Sequence, residues 1–465
     1  MPGSQATDGR PKSARPTCID LFGGAGGLSL GFEQAGFDVL ATVEYDPVHA
    51  LVHRRNFPDC EVVCRDVRPL TGPDVLAAAE VGFRRVRPGQ TWTNQVDAVI
   101  GGPSCQGFSA GGVRDEDDER NGLVGEFVRL VVEIRPQAFC LENVPGLLEP
   151  RFDDVRLGAL KQLRDAGYDV SGSDGWLNAA DFGVPQSRKR VFMLGILDGP
   201  APDLPEGDKP SRVTVQHALE GLPQVEAYPK LLLGDSAALS PADTARRLRT
   251  GSAYARELAG LAAPSDLSRP RVWDPTVATC SLRTRHDLGV QARFAATPQG
   301  SAEPKSRLYR LAWDTQARTL RAGTGRERGA HTSPRPIHPD LPRVITVREA
   351  ARLHGYPDWF RLAATSWHGH RQVGNSVPPP LARAVATRLV GALGMRPRRP
   401  TAQVLLGDDE WCRTSPRNAA RLLSAIVNEL PAQRVRPQVV PACLTDGLPD
   451  LALEVMSSGL TELVH

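Results

Sequence analysis

The chain has 465 residues, 23 % of them charged, and a formal net charge of +3 at pH 7. That length predicts about two to three domains and a large buried core, and so small a net charge names no partner by itself. No apolar run is long enough to span a bilayer, and residues 1–16 lack the apolar stretch of a signal peptide. Eight cysteines without dense spacing do not make a disulfide framework. A cytoplasmic protein is expected, with no membrane partner. Cys60 and Cys64 sit four apart, but no second pair completes a zinc site, so no metal is expected.

Residues 1–16 read as a polar tail without fixed structure. From Thr17 to about Leu197 apolar runs alternate with amphipathic ones, which predicts a doubly wound, mostly parallel α/β sheet covered by helices. The first strand passes through Asp20 into Phe22-Gly23-Gly24-Ala25-Gly26-Gly27-Leu28, a glycine turn opening a helix. Such a turn lets the backbone approach a nucleotide-like ligand beside a helix N-terminus, though many doubly wound folds carry one without a cofactor. The second strand, Val39–Val43, ends in Glu44-Tyr45-Asp46, and a carboxylate there can accept hydrogen bonds from ribose hydroxyls. The third, Glu61–Cys64, ends near Asp66-Val67, where a second carboxylate can meet an adenine amino group.

A fourth strand, Val96–Ile100, runs into Gly101-Gly102-Pro103-Ser104-Cys105-Gln106-Gly107-Phe108-Ser109. This places Cys105 at the carboxyl end of a parallel strand, where open α/β sheets keep their chemistry. It is a candidate thiolate nucleophile, with a buried packing cysteine as the alternative. Helices are predicted at Asn121–Ile134 and Asp153–Ala166. Between them, Phe139-Cys140-Leu141 ends in Glu142-Asn143-Val144. Partial burial would raise the pKa of Glu142 so that it could act as an acid near neutral pH; the alternative is a solvated turn residue or helix cap. In Gln186-Ser187-Arg188-Lys189-Arg190, the two arginines share a face if a strand starts here. Two cations beside a cysteine would favour its thiolate, and could hold a phosphate or a base carbonyl.

Residues 198–211, with four prolines, read as a linker, and 212–342 as a smaller domain of weak periodicity. Within 269–335 there are 13 Lys or Arg against 5 Asp or Glu, a net +8. The stretch includes Arg283, Arg285, Arg321, Arg326 and Arg328, with Tyr309 and Trp313 interleaved. A basic region with aromatics has the electrostatic footprint of nucleic-acid binding, although a charge run alone is more often a solvated face. A helix is predicted from Thr346 to His354. Gln372-Val373-Gly374-Asn375-Ser376-Val377-Pro378 reads as another site loop, leading into a helix from Leu381 to Leu393. Arg396–Pro400 reads as a linker and Pro416–Glu429 as a helix.

Taken in order, these segments resemble the bacterial, AdoMet-dependent cytosine-C5 DNA methyltransferase family across most of residues 17–394. Asp20 to Gly27 resembles its AdoMet-binding first motif, and Gly102-Pro103-Ser104-Cys105-Gln106 its nucleophile motif. Arg120-Asn121-Gly122-Leu123 resembles the motif touching the methionine end of the cofactor. Glu142-Asn143-Val144 resembles the glutamate motif, Gln186 to Arg190 the QxRxR motif, and Gly374 to Pro379 the last motif, with Arg343–Phe360 resembling the segment before it. Two departures stand out. Ser104 replaces a proline that many members carry. The loop after Cys105 also holds five acids, Asp115 to Glu119, read here as facing solvent because they would repel phosphates.

The resemblance implies a class I methyltransferase fold, with a catalytic domain at 17–200 and 371–394 and a target-recognition domain with hinge at 201–370. It gives no role to 395–465. It implies AdoMet held by Asp20, Phe22, Gly23, Gly24, Gly26, Gly27, Leu28, Glu44, Tyr45, Asp66, Val67, Pro103, Leu123, Asn375 and Val377. It implies double-stranded DNA met by Gln106, Ser109 and the five arginines named above, and catalysis by Cys105, Glu142, Arg188 and Arg190. A cytosine flipped from the duplex would be attacked at C6 by Cys105, with Glu142 at N3 and Arg188 stabilising the base. A monomer is expected, acting alone or alongside a separate restriction endonuclease. The rival readings are a tRNA cytosine methyltransferase, disfavoured by the long basic domain, a catalytically dead DNA-binding relative, and, more distantly, a nicotinamide dehydrogenase.

Overall fold

The computed structural model describes residues 13–103, 122–207, 213–249, 251–261, 263, 265–323 and 334–428. The chain begins β1 (Thr17–Leu21), α1 (Gly27–Gln34), β2 (Asp38–Glu44), α2 (Pro47–Asn56), β3 (Glu61–Cys64), α3 (Gly72–Val86) and β4 (Ala98–Gly101). It continues through α4 (Gly122–Ile134), β5 (Ala138–Asn143), α5 (Asp153–Asp165), β6 (Tyr168–Ser171), β7 (Leu177–Asn178) and β8 (Lys189–Leu197). The sheet order is β3-β2-β1-β4-β5-β8-β6, with β7 pairing β8. Strands β1 to β5 run parallel, and β8 runs antiparallel to both β5 and β6. The order turns back between β1 and β4, and ligands of such sheets bind at that crevice.

Strands β1, β4 and β5 are buried throughout, as parallel strands covered on both faces must be. Their side chains alternate between two apolar layers. Ile19, Val99, Phe139, Leu141 and Met193 join one layer with Phe83, Val128 and Leu163 from α3, α4 and α5. Cys18, Ile100, Cys140 and Leu194 join the other with Leu30 and Leu51 from α1 and α2. Helix starts are fixed locally. Asp46 accepts from the N–H groups of Val48 and His49 ahead of Pro47, and Thr71 and Asp74 cap α3 reciprocally.

The second half contributes α6 (Val215–Leu219), β9 (Ala237–Ala238), α7 (Pro241–Leu248), α8 (Ala253–Leu258), β10 (Arg271–Val272), β11 (Val277–Ala278) and α9 (Leu288–Ala296). Then come α10 (Val347–His354), α11 (Ser366–Asn375), α12 (Pro379–Ala392), β12 (Val404–Leu405) and α13 (Pro416–Asn428). Helix α10 is buried along its whole length, although it carries Arg348, Glu349 and Arg352. Arg352 forks onto both oxygens of Asp358 at 2.7 Å, and Arg247 meets Asp358 at 3.0 Å. Arg343 holds Glu349 through two bonds of 2.8 Å, and Arg361 holds Asp235 at 2.8 Å.

Two stretches expected to be loose are docked instead, and the helix expected at Pro416–Glu429 forms as α13 on a docked extension. Arg15, at the end of the expected tail, is buried and donates to Asp38 and to the carbonyls of Phe37 and Leu267, because five donors on one guanidinium can tie several chain segments together. Within the proline-rich segment, Ala201 N–H bonds the Asp169 carboxylate and Pro202 C=O accepts from Ser171. Past residue 395, β12 pairs with β10, Asp409 meets Arg55 at 2.8 Å, and Cys412, Ala419 and Leu423 enter the core beside α2. Among the described residues, no helix is long and apolar enough to cross a membrane.

Candidate active site

The face that carries Cys18 and Cys140 toward the core carries Asp20 and Glu142 two residues later, at the carboxyl edge of the sheet. Period-two alternation thus turns a buried apolar layer into a pair of carboxylates where the strands end. Asp20 is wholly buried. Phe22 follows with φ of +66°, a conformation uncommon for a bulky aromatic, held by its N–H on Val43 C=O at 2.9 Å. Gly23, Gly24 and Gly26 form the turn, and Gly27 opens α1 with Leu28 behind it. A Cβ on Gly27 would lie 2.5 Å from Val377 C=O and 2.6 Å from the Tyr356 hydroxyl, so the first glycine motif is seated directly against the last one.

Glu44, at the end of β2, accepts from Gly24 N–H and Asp46 N–H, each at 2.8 Å. Burial pushes its pKa up, with His49 opposing. Tyr45 is exposed at the rim. Asp66, past the end of β3, accepts from Arg68 N–H at 3.0 Å, and Val67 is buried beside it. Leu123 is half-buried in the first turn of α4, Pro103 is buried, and Asn375 is exposed. The segment Gln372–Asn375, expected as a loop, is the last turn of α11; only Ser376–Pro378 is irregular. Its Gly and Asn read as loop formers, but packing on residues 321–322 sets the helix.

Glu142 is 8 % exposed and lies 2.8 Å from the Arg190 guanidinium. Burial raises its pKa, while Arg190 and then Arg188 pull it down. The turn after β4 lies against this carboxylate: a Cβ on Gly102 would sit 2.6 Å from its Oε2 and push the carboxylate aside. Asn143 ties the two strand ends together by donating to Pro103 C=O at 3.4 Å and accepting from Val144 N–H at 2.9 Å. Cys105, Gln106, Ser109, Asn121 and the acidic run 115–119 lie outside the described residues.

The two arginines have different partners, Arg188 on backbone carbonyls and Arg190 on Glu142. The Arg188 guanidinium is fully buried and donates to the carbonyls of Leu320, Gly374 and Ser376 at 3.0, 2.6 and 2.9 Å. The cation that meets the acid directly is Arg190, with Arg188 close enough to lower the Glu142 pKa as well. Arg188 lies just before β8, and its carbonyl partners, more than 130 positions away in sequence, were not legible there. Gln186, given no separate role from the sequence, reinforces the same junction. It accepts from Leu320 N–H and donates to Leu353 C=O and His354 Nδ1. His354 in turn reaches Ser376 C=O at 3.1 Å.

Of the basic-region arginines, Arg285 and Arg321 are exposed. Arg283 is half-buried, 3.8 Å from Glu226, which lowers its availability for DNA. Arg326 and Arg328 lie outside the described residues.

The sequence matches the model of the C-5 cytosine-specific DNA methylase family over residues 16–391. It is 45 % identical over 430 residues to the type II methyltransferase M.XorII of Xanthomonas oryzae pv. oryzae, covering 92 % of this chain and 97 % of the relative. It is 31 % identical to the type II methyltransferase M.AgeI of Thalassovita gelatinovora, over 81 % of this chain and 99 % of the relative. The fold is similar, at a TM-score of 0.63 and 32 % identity, to a crystal structure described as a DNA modification methyltransferase encoded within an E. coli prophage. That likeness covers 81 % of this chain and 99 % of the other. With a mostly parallel sheet, a buried glutamate at its carboxyl edge and this family match, the chain belongs to the C-5 cytosine-specific DNA methylases and is a DNA (cytosine-5-)-methyltransferase.

Proposed function

We propose that the chain methylates one cytosine within a specific duplex sequence, in the cytoplasm, as the modification partner of a separately acting restriction endonuclease, and works as a monomer. The observation that carries the chemistry is the buried Glu142–Arg190 pair set against the turn that leads to Cys105. The target base is flipped out, since its C5 is inaccessible in the stack. The Cys105 thiolate then forms a bond to C6. Glu142, its pKa raised by burial, hydrogen-bonds or protonates N3 and so lets C5 become nucleophilic. Arg190 fixes the orientation of that carboxyl group and stabilises the charge. After methylation at C5, loss of the C5 proton to water or hydroxide expels Cys105.

The residues at the ends of β1, β2 and β3 fit S-adenosyl-L-methionine. Asp20 keeps one buried oxygen without a hydrogen-bond partner among the described residues. Glu44 suits ribose hydroxyls, Asp66 an adenine amino group, and the turn from Phe22 to Gly27 a close backbone approach. The bound cofactor supplies the methyl group. Residues 201–370 choose the target, with Arg285 and Arg321 among the DNA contacts; Arg188 secures the junction of that region with the last motif. The name of M.XorII and the 97 % coverage of that relative support the restriction–modification setting.

Bisulfite sequencing of DNA from a methylation-free host expressing the chain tests this. One fully methylated short sequence is expected, together with transfer of labelled methyl to duplex DNA and not to tRNA. Methylation of tRNA alone would overturn it.

A further inference from the structure

Three buried polar side chains from three elements meet behind the glycine turn, and nothing in the chemistry above uses two of them. Asp20 Oδ2 accepts from the Ser29 hydroxyl at 2.5 Å. Ser29 Oγ also lies 3.1 Å from His53 Nε2 on α2. Ser29 and His53 are both wholly buried. A hydroxyl has one proton. Given to Asp20, it leaves Ser29 only an acceptor toward His53, so His53 is the neutral tautomer carrying its proton on Nε2. Burial holds that ring neutral, its pKa lowered to about 3. The ring packs against Phe57 at a centroid distance of 4.6 Å, which fixes its direction. The chain therefore runs one way, from His53 N–H to Ser29 O–H to Asp20 Oδ2, and leaves the other carboxylate oxygen, Oδ1, buried with no hydrogen-bond partner among the described residues.

We propose that Ser29 and His53 are positioning residues for the cofactor: they orient Asp20 and hold it as a carboxylate whose Oδ1 accepts from a cationic N–H of the ligand. The inference rests on the cofactor reading given above. The need for such a device is electrostatic. Asp20 is faced by Glu44 from β2, by Glu142 from β5, and by the thiols of Cys18, Cys60 and Cys140, with His53 neutral. Burial raises its pKa to about 7, against which the Ser29 hydroxyl and backbone N–H act. Without the hydroxyl one of the two contacts that oppose burial is lost, which disfavours the carboxylate form that a cation needs. His53 sharpens the effect by polarising the hydroxyl that Asp20 accepts from.

Calorimetric titration of the full chain with S-adenosylhomocysteine, from roughly pH 6 to 8.5, tests this in wild type, Ser29→Ala, His53→Phe and Asp20→Asn. Wild-type affinity should rise with pH through about 7 and then level. Ser29→Ala should bind about tenfold more weakly at neutral pH, converging on wild type as the pH rises. His53→Phe keeps the ring packing and should shift the same way by about threefold, which preserves the test if the serine variant folds poorly. Asp20→Asn should bind weakly at every pH, and duplex DNA binding should be unchanged in all three. A Ser29→Ala loss of equal size at every pH, with Asp20→Asn still weak, would overturn the positioning chain alone. Unchanged affinity in Asp20→Asn would overturn the cofactor assignment of Asp20, and the chain with it.

Discussion

In the sheet half, Thr17 to Leu197, burial is given mainly to apolar side chains sorted into two layers by strand alternation. After residue 213, comparable burial is given to charge. Arg247, Arg352 and Arg361 are among the largest fully buried side chains, and each meets a buried aspartate. Apolar burial is non-directional and tolerates exchange of similar shapes. A buried ion pair is directional, and losing one partner leaves an uncompensated charge. The sheet is thus a platform on which carboxylates can be placed by register alone. The second half is pinned to one geometry by named pairs. Arg188 reaches across the junction, donating three hydrogen bonds to carbonyls of residues 320, 374 and 376.

The largest expected effect that would break this contrast is at Asp358. Asp358→Ala strands Arg247 and Arg352 and should cost about 3–5 kcal/mol in chemical denaturation; a loss below about 1 kcal/mol, as for exposed pairs, would mean the pins are ornamental. Next comes the division between the two arginines. Arg190→Ala should lower kcat about 10²–10³-fold, whereas Arg188→Ala, which leaves three buried carbonyls unmet, should lower Tm further than Arg190→Ala does. Arg190 holds the Glu142 pKa down, so its loss should also move the alkaline limb of the pH–rate profile upward, because the carboxyl group must be protonated to donate. Equal kinetic effects without a stability difference would merge the two roles.

Smaller effects sharpen the comparison at its edges. Glu44→Ala should weaken S-adenosylhomocysteine binding by about 1.5–3 kcal/mol, the worth of a charge-assisted hydrogen bond, and leave DNA affinity alone. In the second half, Arg343 counters the burial of Glu349 and brings its pKa from 4.5 to about 2. A depressed carboxylate stabilises above its unfolded pKa and loses that contribution as pH falls through the folded one. Acid unfolding between about 4.5 and 2 should therefore be less steep in Glu349→Gln than in wild type, measured by far-ultraviolet circular dichroism.

The same contrast decides what was legible in the sequence. Strands, the glycine turn and the placement of Glu44 and Glu142 follow from local periodicity, and their ends fall within a few residues of the observed ones. Ordered motifs added the chemistry. The carbonyl clamp at Arg188, the docking of Arg15 and the brace formed by residues 395–428 depend on partners far away in sequence, which no local pattern encodes. A proline-rich stretch reads as a linker whether or not a carboxylate such as Asp169 waits to receive it.

The central claim is that the sheet edge presents Cys105 to a cytosine whose N3 is met by Glu142. Its most direct test is covalent trapping on duplex DNA carrying 5-fluorocytosine at the target sequence, with S-adenosyl-L-methionine present, because fluorine cannot leave C5 as a proton does. Wild type should give a protein–DNA band that survives denaturing electrophoresis, and Cys105→Ser should give none while still binding the duplex. A band of undiminished yield from the serine variant, or none from wild type on its own methylation target, would contradict the account.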